Sequence, residues 1–124
     1  MRKIRKIFSV SIALIVVLTA CGLDFDGSRR GNQDELIMEY KVFNKVDSQD
    51  LVVEAGDNIH VEVVVKNGQL SLKIQKGDDL PVYENVDITS SDEFDVEIEE
   101  SGTYTVTVIG KRTKGSVNIT VESD

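Results

Sequence analysis

Residues that carry chemistry are scarce in this chain. It has one cysteine, one histidine, one proline and no tryptophan in 124 residues. A single cysteine excludes an intrachain disulfide, so the chain must fold on its core alone. With one histidine and no GxSxG, HExxH, P-loop or paired-cysteine signature, the sequence reads as a non-enzyme with no cofactor. Cations are also few. There are 14 Lys+Arg against 22 Asp+Glu, and four of those cations (Arg2, Lys3, Arg5 and Lys6) precede the first acid. Without residues 1–20, ten cations face 22 acids, a formal charge of −12. Nucleic acid phosphates and anionic headgroups repel such a body. Nucleic acid is therefore excluded as a partner, and membrane residence must come from something other than net charge. Beyond residue 20 no stretch of ten or more residues carries a helical stripe. The length supports one domain.

What is present begins with a targeting segment. Residues 1–6 form a positive start, and 7–20 are an apolar run of 14 residues broken only by Ser9, Ser11 and Thr19. Spanning a bilayer takes about 20 apolar residues, so this run has the length of a signal-peptide core. Leu18, Thr19, Ala20, Cys21 and Gly22 follow it. These residues resemble the bacterial lipobox, after which a signal peptidase leaves the cysteine as the first mature residue. The resemblance implies a diacylglycerol thioether on Cys21, in many bacteria with a palmitate-type acyl chain on its amine as well, and an anchor on the extracytoplasmic face of the cell membrane. Two or three acyl chains hold stably where one holds only marginally.

Residues 22–35 contain three glycines and two large apolar side chains, Leu23 and Phe25, with no period. They read, with Cys21, as a flexible tether (21–35). A coil of this kind has an end-to-end distance of roughly 20 Å, which would hold an acidic domain clear of the headgroups. The spacing of Asp24, Asp26, Ser28 and Glu35 superficially fits a calcium loop, but Arg29 stands where such a loop needs glycine.

From residue 36 the apolar positions recur with period two, so 36–124 read as an all-β domain. The strands are expected at about 36–44, 51–54, 58–66, 69–75, 82–88, 93–99, 103–109 and 116–122. Asn67-Gly68 is the preferred pair for a two-residue hairpin turn. That turn would set Val65 opposite Leu70, Val63 opposite Leu72 and Glu62 opposite Lys73. Glu100-Ser101-Gly102 is read either as a hairpin loop pairing Ile98 with Tyr104, or as an arch to the opposite sheet like the tyrosine corner of immunoglobulin-like domains. In both cases Tyr104 points inward. Short strands with one apolar face each require two layers, so a small antiparallel β-sandwich of seven or eight strands is predicted, jelly-roll or immunoglobulin-like. The stretch EAGDNIHVEVVVKNGQLSLKI and the later EFDVEIEESGTYTVTVIGKRTKGSVNITV resemble GOLD-type and bacterial pre-peptidase C-terminal sandwich domains. Most of these are adaptors and binding modules.

Three sets of residues are candidates for contact. Lys111, Arg112 and Lys114 would sit on the last hairpin loop, facing an anionic partner or wall polymer. Asp95, Glu97 and Glu99 would project from one strand face about 7 Å apart, a weak metal candidate that reads more simply as a charged solvent face. His60 falls on the polar face of its strand. Ile37, Phe43, Val64 and Ile109, on the nominally polar parity, are candidates for an exposed apolar strand. The functional expectation is a lipid-anchored, non-catalytic adaptor for an envelope protein or polymer. The alternatives are an accessory subunit of an exported complex and a calcium-responsive module.

Overall fold

Two unusually long strands organise the molecule. In the computed structural model, which describes residues 24–123, they run Asn58–Lys76 and Gly102–Glu122. In chain order the strands are β1 (Phe25–Asn32), β2 (Glu35–Phe43), β3 (Val46–Val53), β4 (Asn58–Lys76), β5 (Tyr83–Ile88), β6 (Asp92–Glu97) and β7 (Gly102–Glu122). All seven belong to one antiparallel sheet of order β1-β2-β7-β4-β5, with β3 also on β7 and β6 also on β4. Strands β4 and β7 pair along their whole length, from Asn58 opposite Glu122 to Lys76 opposite Tyr104.

The long pair serves two layers. Its first half, 58–65 with 115–122, is flanked by β2 and β6; its second half, 69–76 with 104–111, is flanked by β3 and β5. Between them both strands are bulged at 66–69 and 111–114. In β4 the buried positions switch from Ile59, Val61 and Val63 to Leu70, Leu72 and Ile74; in β7 they switch from Tyr104, Val106 and Val108 to Val117 and Ile119. A bulge adds one residue, so the parity of the buried positions flips while the same sheet face stays inward. Nineteen apolar residues, each no more than 7% exposed, form one cluster. A single layer would leave that face wet, and no helix among the described residues covers it. The sheet therefore folds over on itself at the bend, giving the expected all-β sandwich-like domain.

Gly115 lies at φ 149° and Gly68 at φ 79°. A Cβ on Gly115 would collide with the Val64 carbonyl, and one on Gly68 with the Arg112 carbonyl. Non-glycine Arg112 also takes a positive φ of 52°, and its N–H donates to Asn44 Oδ1 at 3.1 Å.

At the far end of both halves, residues 98–101 arch from one layer to the other. Ile98 is buried there; its N–H donates to Asp57 O, and Gly56 N–H donates to Ile98 O. Tyr104, 2% exposed, donates its hydroxyl to Glu100 O at 2.5 Å. Of the two readings of 100–102, the arch is correct. Val96 pairs with Ile59 rather than Val106, and Tyr104 points inward as expected.

Three further expectations are corrected. Asn67-Gly68 is not a hairpin turn, because β4 continues through it as a bulge; Val63 pairs with Val117 and Asp92, Leu72 with Val108 and Asn85, and Glu62 with Asn118 and Glu93. Likewise 110–115 is no hairpin loop but the bulge of β7. Most of the proposed tether is strand β1, paired with β2 from Phe25 opposite Phe43 to Asn32 opposite Glu35. Arg29, on the inward parity of β1, reaches β3, with Nε 3.1 Å from Asp47 Oδ2 and a hydrogen bond from Nη2 to Ser48 O. An inward charge at a sheet edge blocks further strand pairing. On the opposite side β5 and β6 meet through Tyr83 and Phe94, whose ring centroids are 4.7 Å apart. Cys21 lies outside the described residues.

The bend gives a direct stability expectation. Gly115→Ala places a side chain against a backbone carbonyl at a disfavoured φ and is expected to cost about 2–3 kcal/mol. Urea unfolding measures it; an unchanged midpoint would mean that the two strands do not approach as described.

Candidate functional site

The bend gathers positive charge from separate parts of the chain. Lys111, Arg112 and Lys114 lie in the β7 bulge, Lys66 lies in the β4 bulge, Lys41 lies near the end of β2, and Lys45 lies in the β2–β3 turn. All six are exposed. The β2–β3 turn is held against the bend by Gly110 N–H donating to Lys45 O and by Arg112 N–H donating to Asn44 Oδ1. Among the described residues none of the six pairs with a carboxylate within 4.0 Å, whereas Arg29, Arg30 and Lys76 do so with Asp47, Glu35 and Glu100.

Register explains the surface between them. Ser28, Glu39, Ser116 and Val64 stand side by side across β1, β2, β7 and β4 on the outer face. With Gly27 and Gly115 beside them, these mostly small residues floor an open groove of about 720 Å³ whose lining includes Lys41, Lys66 and Lys114. A second groove of about 370 Å³ lies between Lys41, Asn44, Asn67 and Arg112. The sequence pointed to Lys111, Arg112 and Lys114 but missed Lys41, Lys45 and Lys66. Only the long-range pairing of β2, β4 and β7 brings those three to the same end.

Nearer the other end, the outer face is acidic around His60. Its Nδ1 lies 2.6 Å from Asp95 Oδ1, and its Nε2 lies 2.9 Å from Glu93 Oε2. Potential ligand atoms of His60, Asp95 and Glu122 lie within 4.8 Å of one another. Asp95 and Glu97 share this face on β6, but β6 ends at Glu97, so Glu99 leaves the row and joins the arch. There it lines a hollow with Lys76, Leu80 and Glu100. The three-acid ladder Asp95, Glu97 and Glu99 is thus replaced by Asp95 with His60 and Glu122. No family model matches the chain, and no curated protein matches it. Of the apolar residues expected outside, Phe43 is fully buried, in contact with Tyr40 and Phe25 at ring-centroid distances of 5.0 and 6.0 Å. Ile37, Val64 and Ile109 are half-buried. Among the described residues, the most exposed large apolar side chain is instead Leu80, at 88%, in the 77–82 loop beyond the end of β4.

Hydrogen bonds to Asp95 and then Glu93 favour the imidazolium and raise the His60 pKa above its ordinary value. A raised folded-state pKa stabilises the fold fully below the unfolded value of about 6.5, and that stability is lost as pH rises through the folded value. NMR titration of metal-free protein should therefore give a His60 midpoint above about 6.5, and the urea midpoint should fall as pH rises through it. His60→Gln should flatten this segment of the pH profile. A midpoint at or below the unfolded value would refute the clamp.

Proposed function

We propose that the chain is a lipid-anchored, extracytoplasmic adaptor: a non-catalytic sandwich held at the membrane through Cys21, which engages an envelope protein by the end opposite its anchor. The observation that supports this most is the two-ended layout. Asp24 accepts a hydrogen bond from Asn44 N–H at 2.8 Å, so the described chain enters at the bend. Leu80 stands about 30 Å of strand away, beyond Lys76, with Val82 also exposed. Around it lie Asp79, Glu97, Glu99 and Glu100. An exposed apolar tip rimmed by acids fits a partner surface with a hydrophobic pocket and basic surroundings. The resemblance to adaptor sandwiches points the same way.

Cross-linking and pull-down from cell envelopes test this reading. A single saturable protein partner is expected, with recovery reduced at least about tenfold by Leu80→Asp/Val82→Asp and unaffected by Lys66→Glu. Recovery of no saturable partner, or recovery indifferent to Leu80, would count against it.

A second reading, a cation-responsive module, is supported by the convergence of His60, Asp95 and Glu122. A ligand that binds only the folded state raises its stability by mass action. Millimolar Ca²⁺ or micromolar Zn²⁺ should then raise the melting temperature of wild type and not of Asp95→Asn. An unchanged melting temperature with both ions removes this reading.

A further inference from the structure

We propose that the basic bend is a membrane-facing surface that binds the anionic headgroups of the bilayer holding the anchor, so that the domain stands on its bend. This deepens the adaptor reading and takes from it the lipid on Cys21. Three observations place the surface. First, the described chain enters there: Phe25 pairs with Phe43, its ring lies 5.7 Å from Lys45 Nζ, and Phe43 pairs with Thr113 inside the β7 bulge. Cys21 is three Cα steps before Asp24, a reach of at most about 11 Å. A lipid on Cys21 therefore brings the bend close to the headgroup layer, within one to two Debye lengths of about 8 Å.

Second, the charge is complementary. Lys41, Lys45, Lys66, Lys111, Arg112 and Lys114 surround that entry point. The acids facing them are Glu39 in the groove and Asp24 and Asp26 at the start of β1; Asp87 and Asp92 stand at the edge formed by β5 and β6. On the His60 face, Glu62 and its partner Glu93 lie about 7 Å along β4 from Val64 at the edge of the groove, whereas the acids of the arch lie at the other end of the ribbon, several Debye lengths away along the strands. Third, the surface is recessed. A floor of Gly27, Gly115, Ser28 and Ser116 with Lys41, Lys66 and Lys114 around it admits a phosphodiester headgroup that long side chains would exclude.

The test uses protein extracted from its membrane, with the mass of the Cys21 peptide read from the same preparation. The protein is reconstituted in phosphatidylcholine vesicles with or without phosphatidylglycerol, and amide hydrogen exchange is followed. Peptides spanning 38–45, 64–69 and 110–116 should be protected on phosphatidylglycerol vesicles only, and raised salt should remove the protection. Lys66→Glu/Arg112→Glu/Lys114→Glu should weaken headgroup binding about 100-fold, while Lys73→Glu, on the second half of β4, should leave it unchanged. Equal exchange on both vesicle types overturns the proposal. So does protection by soluble polyglycerol phosphate without protection by vesicles, which would assign the bend to an anionic wall polymer. If Cys21 proves unmodified, the anchor reading fails on its own. The bend is then judged by co-sedimentation of the same protein: binding to phosphatidylglycerol vesicles alone upholds it, and binding to neither type overturns it.

Discussion

Strands β4 and β7 remain hydrogen-bonded partners while both turn a corner, and that requires two backbones to come closer than side chains allow. At Gly115 the chain passes so near the Val64 carbonyl that a methyl group has no room, and at Gly68 the same holds against Arg112. The remaining strands depend on this approach. Because the long pair bends rather than ends, β2 and β6 flank one half and β3 and β5 the other, and the inward face of every strand drains into one core. Straighten the pair, and half of the nineteen buried apolar residues lose the layer that covers them.

Period-two alternation is a local property, and this explains what the sequence could and could not say. It identified β2, β5 and β6 to within two or three residues and fixed which side chains of β4 and β7 point inward, because alternation depends only on the pleat. It could not distinguish a hairpin at Asn67-Gly68 from a strand bulged there. Both put Val61, Val63, Leu70 and Leu72 on one face and differ only in distant partners, Val117 and Val108 rather than Leu72 and Val63. The same ambiguity split β7 in two. Strand β1 was illegible for another reason. Its inward positions are Phe25, Gly27, Arg29 and Gly31, chosen for close approach and for closing an edge, so no apolar alternation marks it.

The candidate site was half legible by the same logic. Lys111, Arg112 and Lys114 are adjacent in sequence and stood out, while Lys41, Lys45 and Lys66 join them only through register. His60 falls on an outer face as its parity implies, but its carboxylate neighbours come from β6 and the end of β7, which the alternation of β4 alone does not reveal. Asp95 therefore acquires a role as a clamp on His60 that its own strand does not reveal.

Net charge was the coarsest guide. A value of −12 implies repulsion from any anionic surface only if the charges are read from far away. At physiological ionic strength an exposed charge is felt over about 8 Å, whereas each half of the folded ribbon is about 30 Å long. An anionic surface touching the bend would meet six lysines and arginines before it met the carboxylates of the arch. The acids concentrated at the far end do not cancel that contact; they direct it, because turning the molecule over would bring Glu97, Glu99 and Glu100 against the same surface. A folded pair of long strands thus converts an overall acidic composition into two ends of opposite character, and the end at which the chain enters decides which of them a tether can press against a membrane.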